Sequence, residues 1–166
     1  MFVKKIRREK IRLRPATIDD NQPLWHIRND PETRKNSVNP NFLPYREYRE
    51  WLKIALASSY YHILVIENLR GRIIGKIRFS INNDKTAEIA IALTEENRGK
   101  GYGTTALLSA LKIAHQELGL SRVYAFIKPE NTASLRAFEK AGFKNSGEIS
   151  YQGIPCLKMI KTIHRE

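Results

Sequence analysis

Arg98-Gly99-Lys100-Gly101-Tyr102-Gly103-Thr104 places three glycines at alternate positions between an apolar stretch ending at Leu93 and a helical pattern beginning at Gly101. Without a Cβ, glycine lets the backbone turn its N–H groups toward one point. The following helix adds its unpaired N–H groups and the positive end of its dipole, so the whole turn suits a pyrophosphate. Arg98 and Lys100 bring positive charge to the same place. Spacing excludes two better-known phosphate loops. A dinucleotide fingerprint starting at Gly99 needs glycine where Thr104 stands, and a P-loop needs a lysine directly after its last glycine. The pattern that fits is R-x-x-G-x-G, with a plain structural turn as the alternative on these residues alone.

C-terminal to the turn, Leu107, Leu111, Ala114 and Leu118 form one apolar helical face, widened by Leu108, in a helix from Gly101 to Leu118 that Gly119 ends. A strand over Val123 to Ile127 follows, then a helix from Ala133 to Ala141 stopped by Gly142. From Phe143 two more strands turn at Gln152-Gly153. N-terminal to the turn, Tyr61 to Ile66, Ile73 to Ile81 and Ala87 to Leu93 read as an antiparallel meander. Its turns are Leu69-Arg70-Gly71-Arg72 and Asn82-Asn83-Asp84. Before it come a short edge strand from Ile11 to Arg14, closed by Pro15, and a helix capped at Thr17 that runs through Leu24, Trp25 and Ile27. Asn29-Asp30-Pro31 and Asn36 to Pro44 read as loop. A second helix starts near Tyr45, with Tyr48, Trp51, Leu52 and Leu56 on one face. This order predicts one α/β (α+β) domain over residues 1–166, with a mixed, mostly antiparallel central sheet flanked by about four helices.

With 166 residues, 42% hydrophobic and 28% charged, the composition is globular. No apolar run approaches membrane-helix length, so no membrane partner is expected. The single cysteine, Cys156, excludes an internal disulfide and fits a cytoplasmic protein; in its strand it reads as core. His26, His62, His115 and His164 are dispersed without ligand spacing, so no metal is expected. The net charge is +12, and residues 1–14 carry seven Lys/Arg against Glu9 alone, about half of that excess. Such a basic arm, residues 1–10 in its outermost part, attracts polyanions without naming one. Base-stacking RNA binders interleave aromatics with basic residues, and this arm holds only Phe2, which makes nucleic acid an unfavoured partner.

The chain resembles the GNAT superfamily of CoA-dependent N-acetyltransferases. The resemblance covers Ile11 to about Tyr151. It rests on Glu88-Ile89-Ala90-Ile91-Ala92-Leu93, on Arg98 to Gly103, and on Asn131-Thr132-Ala133-Ser134 with Phe138-Glu139-Lys140-Ala141-Gly142-Phe143. The resemblance implies acetyl-CoA as co-substrate. Ile91 and Leu93 would pair with its pantetheine arm on a splayed strand, and the N–H groups of Arg98, Gly99, Lys100, Gly101, Tyr102, Gly103 and Thr104 would hold the pyrophosphate. Asn131 would touch the cofactor further along, with Ser134 and Phe138 on the helix flanking the sulfur. Phe138 departs from the family pattern, in which a tyrosine protonates the departing thiolate; solvent, Ser134, another tyrosine or unaided departure would replace it.

An amine must lose a proton to attack a thioester, and the carbonyl oxygen needs a donor as charge develops. Glu88 is the candidate base, with a plain surface carboxylate as its alternative. The Leu93 N–H is the candidate donor. Arg28-Asn29-Asp30-Pro31-Glu32-Thr33-Arg34 and Tyr48-Arg49-Glu50-Trp51-Leu52 resemble family members that acetylate a 4-amino sugar on a nucleotide, with Arg28 or Arg34 as contacts. A small-molecule amine, such as a nucleotide sugar, is therefore the expected acceptor. Protein N-termini, ribosomal ones included, are the second acceptor class, and a non-catalytic CoA- or RNA-binding module is the reading from outside enzymology. A homodimer is allowed, and no residue decides it.

Overall fold

A computed structural model describes residues 11–163; the basic arm expected over residues 1–10, and His164, lie outside the described residues. Seven strands make one sheet: β1 (Ile11–Pro15), β2 (Tyr61–Asn68), β3 (Ile73–Ile81), β4 (Thr86–Leu93), β5 (Arg122–Ile127), β6 (Lys144–Tyr151) and β7 (Ile154–Thr162). Their spatial order is β1-β2-β3-β4-β5-β7-β6. Every neighbouring pair is antiparallel except β4 and β5, whose parallel pairing needs a crossover helix. That helix is α4 (Tyr102–Gln116), and α5 (Thr132–Lys140) links β5 to the β6–β7 hairpin. The mixed, mostly antiparallel sheet expected from the sequence is the one observed.

Three helices stand between β1 and β2, where two were expected: α1 (Asn21–Asn29), α2 (Pro31–Asn36) and α3 (Tyr45–Ala57). Asp30-Pro31, read as loop, opens α2 instead. Asp30 accepts from the Thr33 N–H at 2.9 Å as N-cap, and Pro31 takes the first helical position, where its missing N–H is no loss. The described residues therefore form five helices, besides two short 3-10 turns.

Each face of the sheet has its own core. On one face Ile74, Ile77, Phe79, Ala87 and Ile89 pack under Leu107, Ala110, Leu111 and Ala114 of α4. Leu118 packs against the rim of that core. Leu108, expected to widen that face, is instead 46% exposed; one residue on from Leu107, it is rotated about 100° around the helix. On the other face Ile63 and Val65 meet Leu24, Tyr48, Leu52 and Ala55, with Trp25 and Trp51 at the margin. None of the described helices is long and apolar enough to cross a membrane.

Candidate active site

Strand β4 stays paired with β3 along its length, through Leu93 opposite Gly75, but pairs with β5 only at Thr86, Ala87 and Glu88. Beyond Glu88 the two strands splay and leave a slot in the middle of the sheet. Backbone groups alternate sides along a strand. Thr94 donates to Ile74 on β3 at 2.9 Å, so the N–H groups of Leu93 and Ile91 face the slot. Gly75 allows the tight approach of β3 and β4 here: a Cβ on it would lie 2.7 Å from the Ala92 carbonyl oxygen.

The mouth of the slot is closed by the glycine turn. Gly99 (φ +71°) and Gly101 (φ +83°) take left-handed conformations, and Gly101 caps α4. Among the described residues, no backbone or side-chain acceptor takes the N–H groups of Gly99, Lys100, Gly101, Tyr102, Gly103 or Thr104. Six neighbouring donors without acceptors, at the positive end of a 15-residue helix, form a receptor for an anion. A Cβ on Gly103 would reach Leu93 Cδ1 and Ala137 Cβ at 3.8 Å, which puts the turn, the end of β4 and α5 around one gap. These features fit a CoA-type ligand.

Arg98 behaves differently from the expectation. Its N–H donates to the Glu95 carbonyl at 3.2 Å, and its guanidinium pairs with Asp30 Oδ2 and reaches Thr33 Oγ1 at 3.4 Å. Burial opposes ionisation of Asp30, but the Thr33 N–H and Arg98 outweigh it and hold the carboxyl below its usual range. Arg98 thus clasps the glycine turn to α2 rather than lining the cradle. Arg34 is also taken, donating through Nε to the Pro40 carbonyl at 2.9 Å.

On α5, Asn131 is the N-cap, accepting the Ser134 N–H at 3.3 Å, and Ser134 lies three residues before Ala137 on the half-buried face near Gly103. Phe138 does not line the gap: it is 2% exposed and packs edge-on to Phe143 with ring centres 4.8 Å apart. Cys156 is fully buried, as expected. No cluster of three His, Cys, Asp or Glu side chains with metal-binding geometry occurs among the described residues.

Glu88 sits where the slot begins, its side chain on the face opposite α4. Tyr151, at the end of β6, donates its hydroxyl to Glu88 Oε2 at 3.2 Å and stacks on Phe126 with 4.2 Å between ring centres. Burial and the neighbouring carboxylate push the Tyr151 hydroxyl up to about 12, so it keeps its proton at neutral pH. No local signal marks this pair, 63 residues apart; the β6–β7 hairpin brings them together.

Residues 10–144 match the acetyltransferase (GNAT) domain family. The chain belongs to the GNAT acetyltransferase family. Within it, this GNAT chain is 24% identical over 145 residues to the uncharacterized N-acetyltransferase p20 of Bacillus licheniformis, covering 84% of this chain and 82% of that one. It is 47% identical over 64 residues to YwnH of Bacillus subtilis, a match that spans 39% of each chain and so less than half of that protein's length. Its fold matches spermidine N-acetyltransferase from Vibrio cholerae, solved with CoA and spermine, with a TM-score of 0.85 at 20% identity over 93% of this chain and 96% of the other. At that identity the likeness speaks for the GNAT fold alone.

Proposed function

We propose that this GNAT chain is a single acetyltransferase domain that moves an acetyl group from acetyl-CoA to a primary amine by direct attack. The carrying observation is the slot beyond Glu88, which ends at six unpaired N–H donors. Bound acetyl-CoA supplies the activated acetyl group. The amides of Gly99 to Thr104 hold its pyrophosphate, and the outward N–H groups of Ile91 and Leu93 hold its arm. Leu93 lies beside Gly103 at the pyrophosphate end, whereas Ile91 is nearer the closed end of the slot. Ile91 is therefore better placed than Leu93 to donate to the acyl oxygen as charge develops. Glu88 takes the amine proton, and Tyr151 orients Glu88. Asn131 and Ser134 border the same gap, CoA leaves as its thiolate, and the Ser134 hydroxyl or solvent returns a proton to it.

For the acceptor, the segment from Arg28 to Arg34 supports an amine on a nucleotide-linked sugar. Its support is the resemblance of that segment; Arg34 itself holds the loop after α2 through the Pro40 carbonyl. The test is CoA thiol release from acetyl-CoA across nucleotide-linked amino sugars, simple amines, polyamines and basic peptides. Fast release with one class establishes the transferase and its acceptor; tight acetyl-CoA binding with no release from any class would count against catalysis.

A further inference from the structure

The face of the sheet that carries Glu88 also holds positive charge that the transfer chemistry does not use. Arg28 of α1 and Lys76 and Arg78 of β3 are half-buried there, beneath or beside α1 and α3. None of the three forms a salt bridge with a described carboxylate. Lys76 Nζ lies 5.6 Å from the centre of the Tyr48 ring, and Arg78 Cζ lies 5.9 Å from that of Tyr61. Arg78 Nε is enclosed with no hydrogen-bond partner. Arg28 reaches only neutral acceptors, the carbonyls of Asn39 at 3.2 Å and Asn41 at 3.3 Å.

Carboxylates on this face are engaged elsewhere: Glu67 with Arg12 and Arg14, and Glu88 with Tyr151. Desolvation first, and then the charges of Arg78 and Arg28, push the Lys76 ammonium down to about 7. Burial also lowers the tendency of Arg28 to stay protonated. Half-burying unpaired cations together is unfavourable for a fold. The register suggests a use for them. Lys76 lies opposite Ala92, Arg78 opposite Ala90, and Ser80 opposite Glu88, so the cations follow the base in a row along the strands. Ala90 and Ala92, the residues opposite the cations, are small and half-buried. Four strand positions separate the Glu88 row from the Lys76 row, about 13 Å at 3.3 Å per residue.

We propose that Lys76 and Arg78, with Arg28, form an anion subsite of the acceptor cleft, and that the acceptor is an amine bearing a phosphate or carboxylate rather than a polyamine. This rests on the acetyl-transfer reading above. An acceptor lying along the row presents its amine to Glu88 and its anion to Arg78 and Lys76. A polyamine in the same place would face repulsion from all three cations.

Calorimetric titration of UDP, pyrophosphate, glutarate and spermidine into the full chain tests this, with CoA present in saturating amount so that the glycine turn is blocked. At least one of the three anions binds, and Lys76→Met and Arg78→Met each weaken it tenfold or more while binding CoA as the parent does. Lys76→Arg retains anion binding, which separates loss of charge from loss of fold. Binding of UDP and pyrophosphate alone assigns a phosphate, and binding of glutarate a carboxylate. Anion affinity unchanged in both methionine variants, or spermidine binding in preference to all three anions, overturns the subsite. Failure to bind CoA would instead sink the acetyl-transfer reading, and the same titrations without CoA would still decide the subsite.

Discussion

Lys76 is charged below about pH 7 in the folded protein, whereas in the unfolded chain it keeps its proton to the ordinary lysine range. Between those limits the unfolded state binds more protons, so this residue makes stability rise with pH. The groups facing it are Arg78 on its own strand, Arg28 from α1 and Tyr48 from α3, whose hydroxyl burial keeps protonated. Thermal melts of Lys76→Met should therefore show a higher Tm than the parent at pH 6 and a smaller difference at pH 9; a lower Tm at pH 6 would mean that the ammonium holds the fold. For the chemistry, Glu88→Gln should lower kcat by about 100-fold and Tyr151→Phe by about 10-fold, with acetyl-CoA affinity preserved, in steady-state assays. Glu88 is legible as a candidate because a lone carboxylate stands out in the otherwise apolar run Ala87 to Leu93. Lys76 and Arg78 passed unnoticed because they occupy the polar positions of an alternating strand. Such a pattern reads as solvent-facing, whereas both side chains are half-buried beside α1 and α3.

At the level of elements, the meander and the long helix were readable because period 2 and period 3.6 are local properties. Arg98 is not readable for the opposite reason: its partner, Asp30, is 68 residues away and caps a helix whose Asn29-Asp30-Pro31 start looks like loop. The cap signals at Asp30 and Pro31 were present, but a six-residue helix has too few apolar positions to declare a face. Phe138 stands at a cofactor position by resemblance, but its packing against Phe143 in the core is a tertiary fact with no local trace. The β3–β4 pairing depends on Gly75, where an added Cβ meets the Ala92 carbonyl oxygen as well as the side chains of Leu93 and Ile66. Gly75→Ala should cost about 1–3 kcal/mol in denaturant unfolding. It should also weaken acetyl-CoA, because the strand it displaces carries Ile91 and Leu93. A neutral result would show that β4 gives way there easily.

Across the whole molecule, the β1 edge of the sheet is secured by charge. Buried Glu67 accepts from Arg12 at 2.6 Å and Arg14 at 2.7 Å, and Arg14 also holds Asp20 at 2.8 Å. Hydrogen bonds from Arg12 to Glu67 and from Arg14 to Asp20, against the burial that opposes ionisation, keep both carboxyls below their usual range. Their contribution is thus present above the ordinary carboxylate pKa and lost as pH falls through the folded values. Tm should drop steeply below about pH 4. Glu67→Gln should lose about 3 kcal/mol at pH 7 and show a shallower acid slope in the same melts. The strand order itself could be inferred from the resemblance and the connection lengths, whereas this network joins β1 to β2 across 53 to 55 residues and leaves no local trace. The splay of β4 has a further consequence. This is the fourth of seven strands, where amide protons ordinarily exchange with solvent most slowly. The protons on Ile91 and Leu93 have lost their neighbour, so deuterium should enter the centre of the sheet before its flanks, and CoA should seal that leak without altering the flanks.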